Sequence, residues 1–142
     1  MELQHIFLAR FAEATPDGLL TVVGGPLSRL EADRFPTSIA FLYLPVHMRL
    51  TVSEAKGPHS CAVARELPNG QREQIGSPFD MIKMPAEARP EYGPDGKVGV
   101  SVNTWLVNLY FPEPGIYTYH FEVDGKSLGA AKLLVEAKLA GG

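Results

Sequence analysis

From Ile39 to Val52 the chain places an apolar residue at every second position: Ala40, Leu42, Leu44, Val46, Met48, Leu50 and Val52. Successive strand side chains point to opposite faces, so this run predicts a long strand whose even residues line a core. The odd set, Ile39, Phe41, Tyr43, Pro45, His47, Arg49 and Thr51, faces the other way, apolar first and polar later. Pro45 has no N–H for a ladder, which predicts a break or an edge position there. In Ile116 to Val123 the odd residues Tyr117, Tyr119, Phe121 and Val123 form the inward set, leaving Thr118, His120 and Glu122 outward. Asp124-Gly125 predicts a tight hairpin, because a type I′ turn needs positive φ at both central residues. Beyond it Ala131, Leu133 and Val135 continue an inward face. The segment Val98 to Phe111 begins with Val98, Val100 and Val102 and ends with Trp105, Val107, Leu109 and Phe111. Its apolar parity switches, which predicts a bulge or strand break near Asn103 and Thr104.

Further strands are predicted at about residues 4–12, 18–25, 59–67 and 71–79, separated by turn signals such as Pro16-Asp17-Gly18 and Pro68-Asn69-Gly70. Helical periodicity is nearly absent. The pattern predicts an all-β protein, a single antiparallel β-sandwich of seven to eight strands, immunoglobulin-like or C2-like. Its expected core holds Trp105, Tyr117, Tyr119, Phe121 and the even residues of Ala40 to Val52. Tyr117, just after Pro114-Gly115, is the expected tyrosine corner, with its hydroxyl satisfying nearby backbone. Met84 to Gly99, rich in proline and glycine and without periodicity, is predicted to be a long loop, either functional or a solvated connection.

With 142 residues, 45% of them hydrophobic and 20% charged, the chain has the size and composition of one globular domain. That domain is expected over 1–136, followed by a flexible tail at 137–142. No apolar run approaches the roughly 20 residues needed to span a bilayer. The start, MELQHIFLARF, lacks the signature of a secretory signal, which with the lone Cys61 predicts a cytoplasmic address. A net charge of −3 and thirteen scattered basic residues lead to the expectation that nucleic acid is not a partner.

The pattern Asp17-Gly18, Gly24-Gly25 and Phe35-Pro36, together with the later Pro68-Asn69-Gly70 turn and the segment from Phe111-Pro112-Glu113-Pro114-Gly115 to Tyr117, resembles small bacterial and phage-associated proteins known as a domain of unknown function. The resemblance covers nearly the whole chain. It implies an immunoglobulin-like or C2-like sandwich and carries no active site with it. Where such proteins usually have tryptophan after the Gly-Gly pair, this chain has Pro26 and Leu27.

Phosphate-cradling, nucleophile-elbow, zinc-protease and dithiol motifs are all missing from the sequence. No enzyme, no cofactor and no metal are therefore expected. His47, His120 and Glu122 could hold zinc only if their strands were neighbours, and their spacing is no local ligand motif. Cys61 shares parity with Val63 and reads as a small core residue. The Leu139-Ala140-Gly141-Gly142 end reads as a frayed terminus.

Two surfaces remain as candidate sites. The apolar half of the outward face, Ile39, Phe41, Tyr43 and Pro45, is either an interface or is covered within the fold by the Met84 to Gly99 loop or a neighbouring strand. Tyr92 and Trp105 could flank a small ligand if the long loop closes over it, and an exposed Trp105 would favour that reading. The leading expectation is a non-enzymatic protein-binding or assembly module, with a phage-related setting implied by the resemblance alone. It would work through a protein partner or self-association, a homo-oligomer included, without membrane contact. The alternative is a carbohydrate or small-ligand binder.

Overall fold

A computed structural model describes residues 1–15, 20–81 and 95–139. In chain order the strands are β1 (Glu2–Ile6), β2 (Phe11–Ala14), β3 (Leu20–Val23), β4 (Arg29–Ala32) and β5 (Thr37–Leu50). After a short helix, α1 (Val52–Lys56), come β6 (Ser60–Glu66), β7 (Arg72–Asp80), β8 (Val98–Phe111), β9 (Gly115–Val123) and β10 (Lys126–Ala137). The protein is thus almost entirely β, with ten strands among the described residues rather than seven or eight. They form a three-stranded sheet β1-β5-β8, a five-stranded sheet β4-β10-β9-β6-β7 and a two-stranded sheet β2-β3. All pairs are antiparallel except β10 with β4, so the sheets are not purely antiparallel as expected. β4 follows a connection too short in alternating residues to betray itself as a strand.

Leu42, Leu44, Val46, Met48 and Leu50 of β5 and Tyr117, Tyr119, Phe121, Leu133 and Val135 of β9 and β10 belong to one buried apolar cluster. The two larger sheets thus share a core. Asp124 and Gly125, with φ of 51° and 81°, make the tight turn between β9 and β10 that Asp-Gly predicts. The Tyr117 hydroxyl donates to the Glu113 carbonyl at 2.6 Å, so the corner residue does satisfy the preceding backbone.

Two expectations are corrected by the pairing of β5 with β8. β8 is unbroken from Val98 to Phe111 and keeps a constant register against β5, with Leu42 opposite Leu106 and Tyr43 opposite Trp105. The even residues therefore stay inward as far as Leu106, and Trp105 is 61% exposed instead of lying in the core. The exchange of faces comes later, at Val107-Asn108, where Asn108 takes a left-handed φ of 53°. Ala40-Phe41 on β5 sits at the same level and is likewise exposed, which also removes Ala40 from the core. Leu109 and Phe111 are then buried on the new parity.

The helix α1 was hidden from periodicity by its single turn. Its signal is the capping box Thr51-Val52-Ser53-Glu54: Thr51 Oγ1 accepts from the Glu54 amide and Glu54 Oε1 accepts from the Thr51 amide. Of the expected long loop, Val98 and Gly99 belong to β8, Asp95 accepts from Arg49 Nε at 2.9 Å, and residues 84–94 lie outside the described residues. At the other end β10 includes Ala137 and the Lys138 amide donates to Ala32 at 2.8 Å; Ala140 to Gly142 also lie outside the described residues.

Among the described residues one charged side chain enters the core. Arg65 on β6 is buried, with its guanidinium 5.4 Å from the Phe111 ring centroid and 5.2 Å from that of Tyr117. Its Nε donates to Glu73 on the neighbouring β7 at 2.8 Å, giving the buried charge the partner it needs. The five-stranded sheet bears its own irregularity where β6 and β7 shift register between Cys61 and Val63. The bulged β7 stretch contains Gly76, at φ 68°, and Pro78.

Gly115 opens β9 at φ 145°, and a Cβ there would lie 2.6 Å from Pro68 Cγ. Both the backbone conformation and the rigid proline ring oppose a side chain. Gly115→Ala is expected to destabilise the fold by about 1–3 kcal/mol, measured as a lowered urea midpoint at unchanged slope.

Candidate functional site

The outer face of the β1-β5-β8 sheet carries an aromatic cluster built by cross-strand pairing. Tyr43 and Trp105 are direct partners on β5 and β8, and their rings stack with centroids 6.4 Å apart and planes at 17°. Phe41, one step along the same face, meets Tyr43 edge-on at 5.9 Å and Trp105 at 6.5 Å. Phe11 of β2 adds a fourth ring, T-shaped against Tyr43 at 5.5 Å. Such offset and edge-on contacts hold aromatic rings in defined orientations. The result is a platform whose outermost members, Trp105 and the 45%-exposed Phe41, lie open to solvent.

The platform is bounded on one side by β2. Ala9 pairs with Tyr43 in the plane of the sheet, the chain bends at Arg10, and β2 then runs over the outer face. Asn103 Nδ2 donates to the Ala12 carbonyl at 2.7 Å, and Pro45, opposite Asn103, is buried beneath. The four residues expected to form one apolar row are therefore divided. Phe41 and Tyr43 belong to the platform, Pro45 is covered, and Ile39, beyond the exchange of faces, packs against the core. The element over Pro45 is the strand β2.

Where β2 reaches β8 and the end of β7, a groove of ≈ 640 Å³ opens. Phe11 and Tyr43 form part of its wall, so groove and platform are continuous. Phe79 and Met81 of the β7 end and Val100 and Val102 of β8 add apolar surface, and Glu13 and Asp80 add carboxylates. Sequence reasoning missed Phe11, Glu13 and Asp80, because only the fold brings three distant segments together. Tyr92, expected beside Trp105, lies outside the described residues.

The histidines stand elsewhere. His47 is on the three-stranded sheet, stacked on His5 at 5.4 Å and bonded through Nδ1 to Ser101 at 2.8 Å. His120 is on the five-stranded sheet near Ser127 and Glu66. They are not neighbours, and among the described residues no group of three or more His, Cys, Asp or Glu is placed to hold a metal. Cys61 is a core residue, with burial pushing its thiol up to about 11, far from a reactive thiolate. Thr118 is buried, and Glu122 lies 3.8 Å from Arg72. The outward face of β9 is thus occupied by polar contacts within its own sheet.

His59 joins three elements. Its Nδ1 lies 2.8 Å from Asp124 Oδ2 in the β9–β10 turn, and its Nε2 lies 2.6 Å from the Glu54 carbonyl of α1. Two acceptors flank one imidazole, so the doubly protonated ring is favoured, and the Asp124 contact above all raises its pKa. Burial, with His5 and Arg49 nearby, lowers that of His47.

A nearly all-β protein of mainly antiparallel sheets, with an aromatic face as its distinguishing surface, is the class these observations define. The chain belongs to a family of unknown function, DUF6941, whose model matches residues 4–136. No curated protein matches it. Among solved structures, it is similar to the Pseudomonas fluorescens alkylpurine DNA glycosylase AlkC bound to DNA containing an abasic site analog, at 13% identity and a TM-score of 0.45. The likeness covers 94% of this chain and spans 30% of that one. The expectation about partners, which ruled out nucleic acid, is withdrawn in view of the exposed rings of Trp105 and Phe41. The physical fault lay in reading charge alone: bases also stack on exposed aromatic rings, at about 1–3 kcal/mol per base. Among the described residues no helix is long and apolar enough to cross a membrane.

The two histidines give opposite pH dependences. The stabilisation from His59 is fully present below its unfolded value of 6.5 and is lost as pH rises through the raised folded value. That from His47 is present above 6.5 and is lost as pH falls through the lowered folded value. Urea midpoints of the wild type and His59→Gln should therefore converge as pH rises from about 6 towards 9, and those of the wild type and His47→Gln should converge as pH falls from about 7 towards 5.

Proposed function

We propose that the protein is a non-enzymatic binding module that holds a carbohydrate or comparable small ligand on the aromatic face of its three-stranded sheet. The observation that carries the reading is the exposure of Trp105, 61% accessible yet held in place by stacking on Tyr43. A large ring kept in water offers its face to something. A pyranose ring presents a row of C–H groups whose slight positive charge suits the negative face of an indole or phenol. The rings are already oriented by one another, so little side-chain freedom is lost on binding. The adjoining groove falls in the size range of small-molecule sites and mixes apolar walls with a few polar groups. The core shared by the two larger sheets supports a β-sandwich of the immunoglobulin-like or C2-like kind as scaffold, placing the ligand on an outer sheet face rather than between the layers.

Trp105 is the only tryptophan in the chain, so its emission reports on the platform without interference. Titration with neutral and amino-sugar oligosaccharides is expected to blue-shift that emission for at least one of them, with binding weakened about tenfold or more in Phe41→Ala. Emission and calorimetry unchanged across the panel at millimolar sugar would overturn the proposal. So would a shift produced solely by a single-stranded oligonucleotide, or by raising the protein concentration.

A further inference from the structure

The groove beside the platform has a chemical bias that the platform lacks. Among the described residues its wall carries two carboxylates, Glu13 on β2 and Asp80 at the end of β7, and no lysine, arginine or histidine. Both are exposed. Among the described residues, Asp95 is engaged with Arg49, Asp124 with His59, Glu73 with Arg65 and Glu2 with Lys97, while the unpaired Asp33 and Glu113 lie away from the groove. Glu13 and Asp80 take no part in any ion pair among the described residues. Two unneutralised carboxylates beside low-dielectric apolar walls make a focused negative potential. The Phe11, Tyr43 and Phe79 side chains lining the same groove add aromatic surface, to which ammonium groups are attracted where they meet a ring face.

We propose that this groove selects a ligand carrying a cationic amino group, such as an amino sugar, whose neighbouring ring lies on the platform. The inference rests on the ligand-binding reading of the aromatic face and names the class of ligand. Continuity through Phe11 and Tyr43 lets one molecule touch both parts. An ammonium brings three donors and no acceptor, which matches a site whose charged groups are acceptors only. A neutral sugar of the same backbone would have the stacking without the ionic contact.

The test compares two trisaccharides with the same backbone, one of glucosamine and one of N-acetylglucosamine, at pH 6 and low salt. Trp105 emission and calorimetry are the readouts. The glucosamine trimer is expected to bind about tenfold or more tightly than the acetylated one, with the margin shrinking as salt screens the carboxylates. In the double variant Glu13→Gln, Asp80→Asn the two sugars should bind alike. Both substituted positions lie on the surface, and the thermal transition of the variant verifies its fold. Equal affinities in the wild type, or a preference for glucosamine that survives in the double variant, would overturn the inference and leave the platform reading standing. Silence from both sugars in both readouts would overturn the inference together with that reading.

Discussion

The pairing of β5 with β8 governs the rest of the molecule. Each strand is 14 residues long, and their register does not slip from Thr37 opposite Phe111 to Leu50 opposite Val98. With the register fixed, neither strand can turn its apolar residues to the other face alone. Both do so at one level, Ala40-Phe41 opposite Val107-Asn108, with Asn108 in the left-handed region that asparagine tolerates better than most residues. Below this level the even residues fill the core. Above it the odd residues Ile39, Leu109 and Phe111 do so. The aromatic residues next to the exchange are left on the outside, and since the strands are paired they are left there together.

The β2–β3 hairpin then decides how much of that outside surface remains. By crossing over Pro45 and bonding to Asn103 it covers the part of the face where a proline has left the ladder short of a donor. Its edge, with Phe11, becomes a wall. A sheet face that would otherwise be a flat apolar surface is thereby divided into a covered half, an open aromatic half and a groove between the hairpin, β8 and the end of β7.

Much of the scaffold was legible in the sequence. The alternation from Leu42 to Leu50, the Asp-Gly turn and the inward rows of β9 and β10 each constrain one strand locally, and each appears where the pattern put it. Tyr117 was legible because its role depends on residues four positions away. Trp105 was not. Around it Trp105, Leu106 and Val107 are all apolar, so either face could be the buried one, and only the cross-strand partners Leu42 and Tyr43 settle which. Short elements escaped for a related reason: β4 and α1 are below the length at which periodicity speaks, although the Thr51-x-x-Glu54 capping box did mark the helix. The groove was illegible because Glu13 and Asp80 meet only through tertiary structure.

The bulge in β7 bears on the behaviour of the protein in a crowded solution. β7 is the edge of the larger sheet, and an unpaired edge is a template on which another chain can add a strand, the elementary step of fibril growth. Here Pro78 presents no N–H to an incoming strand, and Gly76 turns the backbone out of the extended conformation. A strand docking on this edge would lose its ladder midway, so the irregularity that interrupts pairing with β6 also obstructs propagation of the sheet beyond the molecule.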